Sequence, residues 1–192
     1  MIDDLLEGDD ATRQAILAGL PALPEHVRGA LAIRLIPLAR EAAEGPDQAA
    51  LDLILPALAR LRVDSAKNYL LRLADEESVV SKTALVRALR GTDTTVTRAV
   101  FLHLLSDESM QIAAVTAIGE APWAGVLPDL IELAESDDGV AKVALAGIVR
   151  CAAHGADDAQ AAYDFLLELL ADPVLKHDAR AALDELHRSE ML

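Results

Sequence analysis

The feature that most constrains this chain is an internal repeat of about thirty residues. Sliding the sequence against itself superimposes SVVSKTALVRALRG from Ser78, SMQIAAVTAIGEAP from Ser109 and GVAKVALAGIVRCA from Gly139. Leu89, Ile118 and Ile148 then fall in register, 29 and 30 residues apart, as do Leu85, Ala114 and Ala144. A fourth, more distant copy, VLKHDARAALDELH, begins at Val174. A period of this length marks a unit too small to bury its apolar face alone, so each copy must stack on a neighbour.

Between these segments lies a second kind of helix. NYLLRLAD, VFLHLLSD, DLIELAES and FLLELLAD place apolar residues at i, i+3, i+4 and i+7, a stripe along one helical face. Acidic turns follow at Asp75 (DEE), Ser106 (SDE), Ser136 (SDD) and Ala171 (ADP), and their side chains are suited to cap the helix that comes next. The unit is therefore helix, acidic turn, helix. Turns this frequent exclude a heptad coiled coil.

Composition agrees. Leucine (33) and alanine (37), both strong helix formers, dominate the 192 residues, while aromatic residues are 3%, too few for a sandwich or barrel. The first third is less regular, with helices expected near 2–6, 10–21, 26–44 and 47–62. Pro37 and Pro56 stand inside the last two, as kinks or as breaks. The expectation is one all-α domain over 1–192, with irregular repeats in 1–63 and regular ones in 64–189.

The stretch AIGEAPWAGVLPDLIELAES, from Ala117 to Ser136, carries a family likeness. Ala117, Ile118 and Gly119 end one helix; Val126, Pro128, Leu130, Ile131 and Leu133 open the next. This pattern resembles the phycobilisome-lyase type of HEAT-like repeat found in bacteria and archaea. It departs from the family at the loop, where Pro122-Trp123-Ala124-Gly125 replaces the usual Gly-Asp. The resemblance implies an α-α superhelix, a HEAT-like solenoid of about six antiparallel helix pairs, with the second helix of each pair lining a concave docking face.

Charge narrows the partners. The net charge is −15, and it is unevenly spread: residues 1–98 hold 12 basic and 15 acidic groups (−3), residues 99–192 hold 5 and 17 (−12). Such a surface repels phosphate backbones, so no nucleic acid is expected as a partner, nor an anionic membrane. The opening MIDDLLEGDD has neither the basic nor the apolar region of a secretory signal, and Cys151 stands alone, which forbids an intrachain disulfide. A cytoplasmic protein is expected.

The chemistry-bearing residues form no catalytic set. Cys151 and His154 share a helical face with Asp157 beyond, but zinc needs three or four ligands, and the other histidines lie on other repeats without paired spacing. No metal and no cofactor are expected. Carboxylate pairs such as Glu76-Glu77, Asp137-Asp138 and Asp157-Asp158 lie in polar turns, where capping explains them. There is no nucleophile elbow and no Gly-rich phosphate loop. Gly147, inside a helix, reads as a point of close packing.

A division of charge between the two helix sets is the most suggestive pattern. Second helices carry Lys82, Arg87, Arg90, Lys142, Arg150, Lys176 and Arg180, whereas first helices in the C-terminal half carry Asp129, Glu132, Glu135, Asp164 and Glu168. On a concave face those cations make a basic stripe able to hold a carboxylate-bearing protein or peptide. The alternative is that they pair with the acidic turns of the next repeat. Glu120 and the loop residue Trp123 complete the candidate partner-binding set, with Trp123 either an exposed anchor or a plug over the repeat below. The expected function is that of a non-catalytic scaffold or adaptor. The resemblance alone suggests a bilin lyase-like subunit, and the acidic half suggests an inhibitor or immunity-type protein masking a basic partner.

Overall fold

In a computed structural model the chain is all-helical, and no strand occurs among the described residues, which are 1–45, 48–76, 79–136, 138–153 and 156–190. The helices are α1 (Ile2–Glu7), α2 (Asp10–Gly19), α3 (Glu25–Glu44), α4 (Gln48–Leu61), α5 (Asp64–Asp75), α6 (Val79–Leu89), α7 (Thr95–Leu105), α8 (Gln111–Glu120), α9 (Leu127–Ser136), α10 (Asp138–Ala152), α11 (Ala156–Leu169) and α12 (Lys176–Glu190). A 3-10 turn, Leu20–Ala22, follows α2. The helices gather into two compact units, Met1–Leu104 and Leu105–Leu192. Since residues 99–104 hold no charged group other than His103, the −3 and −12 portions of the chain coincide with these units.

In the first unit α4 is the centre. Leu51, Ile54, Leu55, Ala57, Leu58, Ala59 and Leu61 are all buried, because α1, α2, α3, α5 and α6 pack around it. That explains the run LDLILPALARL, which is apolar nearly all round: a helix enclosed by others has no solvent face to keep polar. Alternate helices form two layers. In one, α4 packs on α2 and α6; in the other, α3 packs on α5. Both α3 and α4 run on through their prolines, so Pro37 and Pro56 are not breaks. The end of α4 is closed by Arg28 of α3, whose Nη1 donates to the Leu61 carbonyl at 2.8 Å, and the chain then leaves through Arg62 at φ +52°.

The second unit repeats the arrangement around α10, which contacts α8 and α12 in its own layer, and α9 and α11 in the other. The six residues the repeat puts in register, Leu85, Leu89, Ala114, Ile118, Ala144 and Ile148, are all fully buried, and Ala179 and Leu183 are buried at the matching places in α12. Gly147 is a point of close approach, as its position implies: a methyl group there would stand 3.1 Å from Val115 Cγ1 and 3.3 Å from Leu130 Cδ1.

The acidic turns cap less uniformly than their sequence implies. Asp172 Oδ1 accepts from the Val174 and Leu175 amides at 2.7 and 2.9 Å ahead of α12. Asp107 instead braces its own turn, accepting from the Ser109 amide at 3.0 Å, and α8 begins beyond it without a side-chain cap. In the other two turns Glu77, Ser78 and Asp137 lie outside the described residues. Among the described residues no helix is long and apolar enough to cross a membrane.

Candidate functional site

The cations expected to form a stripe meet different fates. Lys82 is 9% exposed and belongs to the wall of α6 rather than to an open face. Arg87 is exposed but engaged, its Nε and Nη2 each 3.0 Å from Asp52 Oδ1 on α4. In the second unit Lys142 Nζ lies 3.2 Å from Asp178 Oδ1 on α12. These carboxylates come from neighbouring helices of the same layer, not from the acidic turns, so the pairing alternative is realised by different partners. Both pairs are well exposed and of small net worth.

Lys176, Arg180, Arg150 and Glu120 are exposed on the α8–α10–α12 layer. Arg150 lies against Gly119: a methyl group at Gly119 would stand 3.1 Å from Arg150 Cδ and 3.2 Å from its Nη1. Trp123, at 8% exposure, is buried in the α8–α9 loop, whose return is made by Gly125 at φ +89°. The ring is therefore not an exposed anchor, and in this state it offers little surface to a partner.

Arg90 leads to a site the repeat pattern alone did not reveal. Together with Arg13 of α2 and Arg60 of α4 it lines a cleft of about 520 Å³ in the first unit, floored by Leu17, Leu53 and Pro56 and completed by Asp10, Asp52 and the turn at Gly91 and Thr92. Local structure sets each guanidinium. Arg13 is spent on α1, its Nη2 donating to the Leu6 carbonyl at 2.9 Å and its Nε to the Leu5 carbonyl at 3.3 Å, with Asp10 at 3.3 Å from Nη1. Arg90 is the first residue past α6, and Gly91 after it, at φ +71°, turns the chain back.

Arg60 differs from the others. It stands in the last turn of α4, half-buried by the helices around it, and desolvation draws its pKa below the ordinary arginine range. Among the described residues it makes no hydrogen bond or ion pair. A guanidinium partly withdrawn from water without a countercharge carries part of a solvation cost unreturned. In the sequence Arg60 is a charge that interrupts the apolar run LDLILPALARL. A lone arginine on a helix otherwise enclosed was the available signal.

Other candidate chemistry is muted. Burial, and then the charge of Asp158, pushes the Cys151 thiol up to about 12, which makes it a poor nucleophile or metal ligand. His154 lies outside the described residues, as does the side chain of Asp157. Among the described residues no cluster of three His, Cys, Asp or Glu is placed to hold a metal ion. No protein-family model matches the chain, and neither does any curated protein or solved structure.

Proposed function

We propose that this chain is a non-catalytic adaptor built from HEAT-like helical repeats, and that the arginine-lined cleft of its first unit holds an acidic segment of a partner protein. The observation that carries the reading is Arg60, a half-buried cation without an ion-pair partner, lining a cleft to which Arg90 also contributes. Arg13 is engaged by α1 and Asp10, and Asp52 by Arg87. Carboxylates of an incoming peptide would replace its lost hydration through the planar, bidentate geometry that guanidinium favours. The apolar floor of Leu17, Leu53 and Pro56 would receive the peptide's nonpolar groups.

The repeat reading itself draws support from two features. Within each unit every central helix contacts its sequence neighbours and also the next-but-one helix of its own layer, the pattern of stacked helix pairs. The residues the period aligns are the ones each unit buries. A stack of antiparallel helix pairs within each unit is the arrangement these features favour.

Affinity capture from a lysate of the source organism, with the wild type and with Arg60→Glu/Arg90→Glu as baits, tests the reading. The expected result is a partner retained by the wild type, displaced by free poly-glutamate, released as salt rises, and lost with the double variant. Capture that survives the double reversal, or that poly-lysine displaces instead, would remove the cleft from the function. Displacement by poly-lysine would favour the masking of a basic partner by the acidic second unit.

A further inference from the structure

The other layer of the first unit, α3 on α5, holds a second cavity, of about 640 Å³. Its walls carry two cations and three anions: Arg40 and Glu44 from α3, Arg72 and Asp75 from α5, and Glu76 just beyond it. Of the anions Asp75 is already engaged, its Oδ1 2.6 Å from His103 Nε2. Arg40 and Glu44 have the i, i+4 spacing at which opposite charges on one helix ordinarily meet, whereas Glu76 follows Arg72 past the end of α5, in extended backbone. Neither pair closes, and none of Arg40, Glu44, Arg72 and Glu76 makes an ion pair or hydrogen bond among the described residues. Four opposed charges therefore face one hollow without neutralising one another.

The floor is aromatic. Tyr69 lines the cavity, its ring beneath the Arg40 guanidinium at 5.8 Å, and its hydroxyl is buried without a hydrogen-bond partner. An unpaired buried hydroxyl is costly, and such groups in native folds ordinarily find a partner. Burial raises the Tyr69 pKa, so the phenol stays protonated and can only donate to an anion. Arg40 is exposed, and its guanidinium lies over the Tyr69 ring.

These charges select by sign. A simple anion entering the cavity would meet Glu44 and Glu76, with Asp75 alongside, and a simple cation would meet two guanidiniums. A ligand carrying both charges on neighbouring atoms satisfies every wall. We propose that the cavity binds a small zwitterion of the amino-acid type, its carboxylate held by Arg40, Arg72 and the Tyr69 hydroxyl, its ammonium by Glu44 and Glu76. The site lies on the opposite layer from the arginine cleft and stands independently of it.

Titration calorimetry on the full chain tests this. One arm uses the free amino acids singly and a second uses dipeptides, which separates the two sources of the same headgroup chemistry. Acetate, ethylamine and inorganic phosphate serve as single-charge controls. At about 10 mM ligand, enough to saturate a millimolar Kd, at least one zwitterion is expected to bind, and each control at least about tenfold more weakly. Arg72→Gln and Glu44→Gln are surface changes that leave the helices intact, and each is expected to weaken that zwitterion on the order of tenfold, the worth of one charge-assisted hydrogen bond. Tyr69→Phe, which retains the ring, is expected to weaken it severalfold. Absence of heat with every amino acid and dipeptide, a control that binds as tightly as they do, or Arg72→Gln and Glu44→Gln variants that bind like the wild type would each overturn the proposal.

Discussion

Gly119 on α8 and Gly147 on α10 meet where the two helices cross: a methyl group placed on Gly119 would stand 3.8 Å from the Cα of Gly147. Two helices can approach this closely only where neither presents a side chain, and the approach seats Leu130 and Val115 against α10. In the sequence the two residues are a lone glycine at the end of one repeat and another in the middle of the next. Their partnership is a property of the packing.

Opposite outcomes are therefore expected at two helical glycines. Gly147→Val should lower stability by about 2–3 kcal/mol, because the added methyls enter an already filled contact with Val115 and Leu130. Gly29→Ala in α3, where nothing lies within 4 Å of the new methyl, should raise it by about 0.5–1 kcal/mol through helix propensity. Denaturant midpoints of the two variants check the pair, and a Gly147→Val protein as stable as wild type would refute the close crossing.

Arg62 holds φ +52° just past α4, a conformation that glycine adopts without strain and arginine does not. Arg62→Gly should stabilise the chain by about 0.5–1 kcal/mol, since relief of the strained backbone exceeds the added flexibility of the unfolded chain. Arg28→Ala should act in the opposite sense, by about 1–3 kcal/mol, because the Leu61 carbonyl loses its charged donor. Thermal melts of both variants read the difference directly.

The turn into α7 is held by a hydroxyl pair. Thr94 Oγ1 accepts from the Thr97 amide at 3.0 Å and meets Thr97 Oγ1 at 2.9 Å, and both side chains are buried. Thr94→Ala should cost about 1–2 kcal/mol as a lost helix cap, whereas Thr94→Ser should cost less than half of that, as measured by urea denaturation.

Beside it, two hydrogen bonds from Arg98 to Asp93, at 2.7 and 2.9 Å, hold the Asp93 carboxyl below its ordinary range. A depressed carboxyl contributes stability that is present above its unfolded value, near pH 4, and is lost as pH falls through the folded one. Arg98→Gln should therefore lower stability at pH 6 and leave it nearly unchanged at pH 2, with a difference below about 1 kcal/mol because the pair is largely exposed. Equal destabilisation at both pH values would show that the ion pair is not the cause.

Cys151 carries the alkaline counterpart. With its thiol pushed up to about 12 by burial, the folded chain keeps its proton where the unfolded chain, with an ordinary pKa near 8.5, releases it. Stability is accordingly expected to fall as pH rises from about 9 toward 12, and Cys151→Ala should flatten that slope. The native thiol should also resist alkylation by iodoacetamide at pH 8 until denaturant is added. Rapid native labelling would contradict its burial.

Apolar spacing alone was enough to place the helices, their alternation and the apolar register that the repeats bury. Apolar spacing along a helix is a local property, so Leu85, Ala114 and Ala144 announced a buried register before any neighbour was known. Four readings needed the tertiary structure: the enclosure of α4, the withdrawal of Lys82 and Trp123 from the surface, the pairing of Arg87 with Asp52, and the isolation of Arg60. Charges at helical spacing look alike in a sequence whether they end in water, against a carboxylate, or half-buried and alone. Only the distances between helices decide among those environments, because solvation and Coulomb energy depend on what surrounds a group and not on its place in the chain.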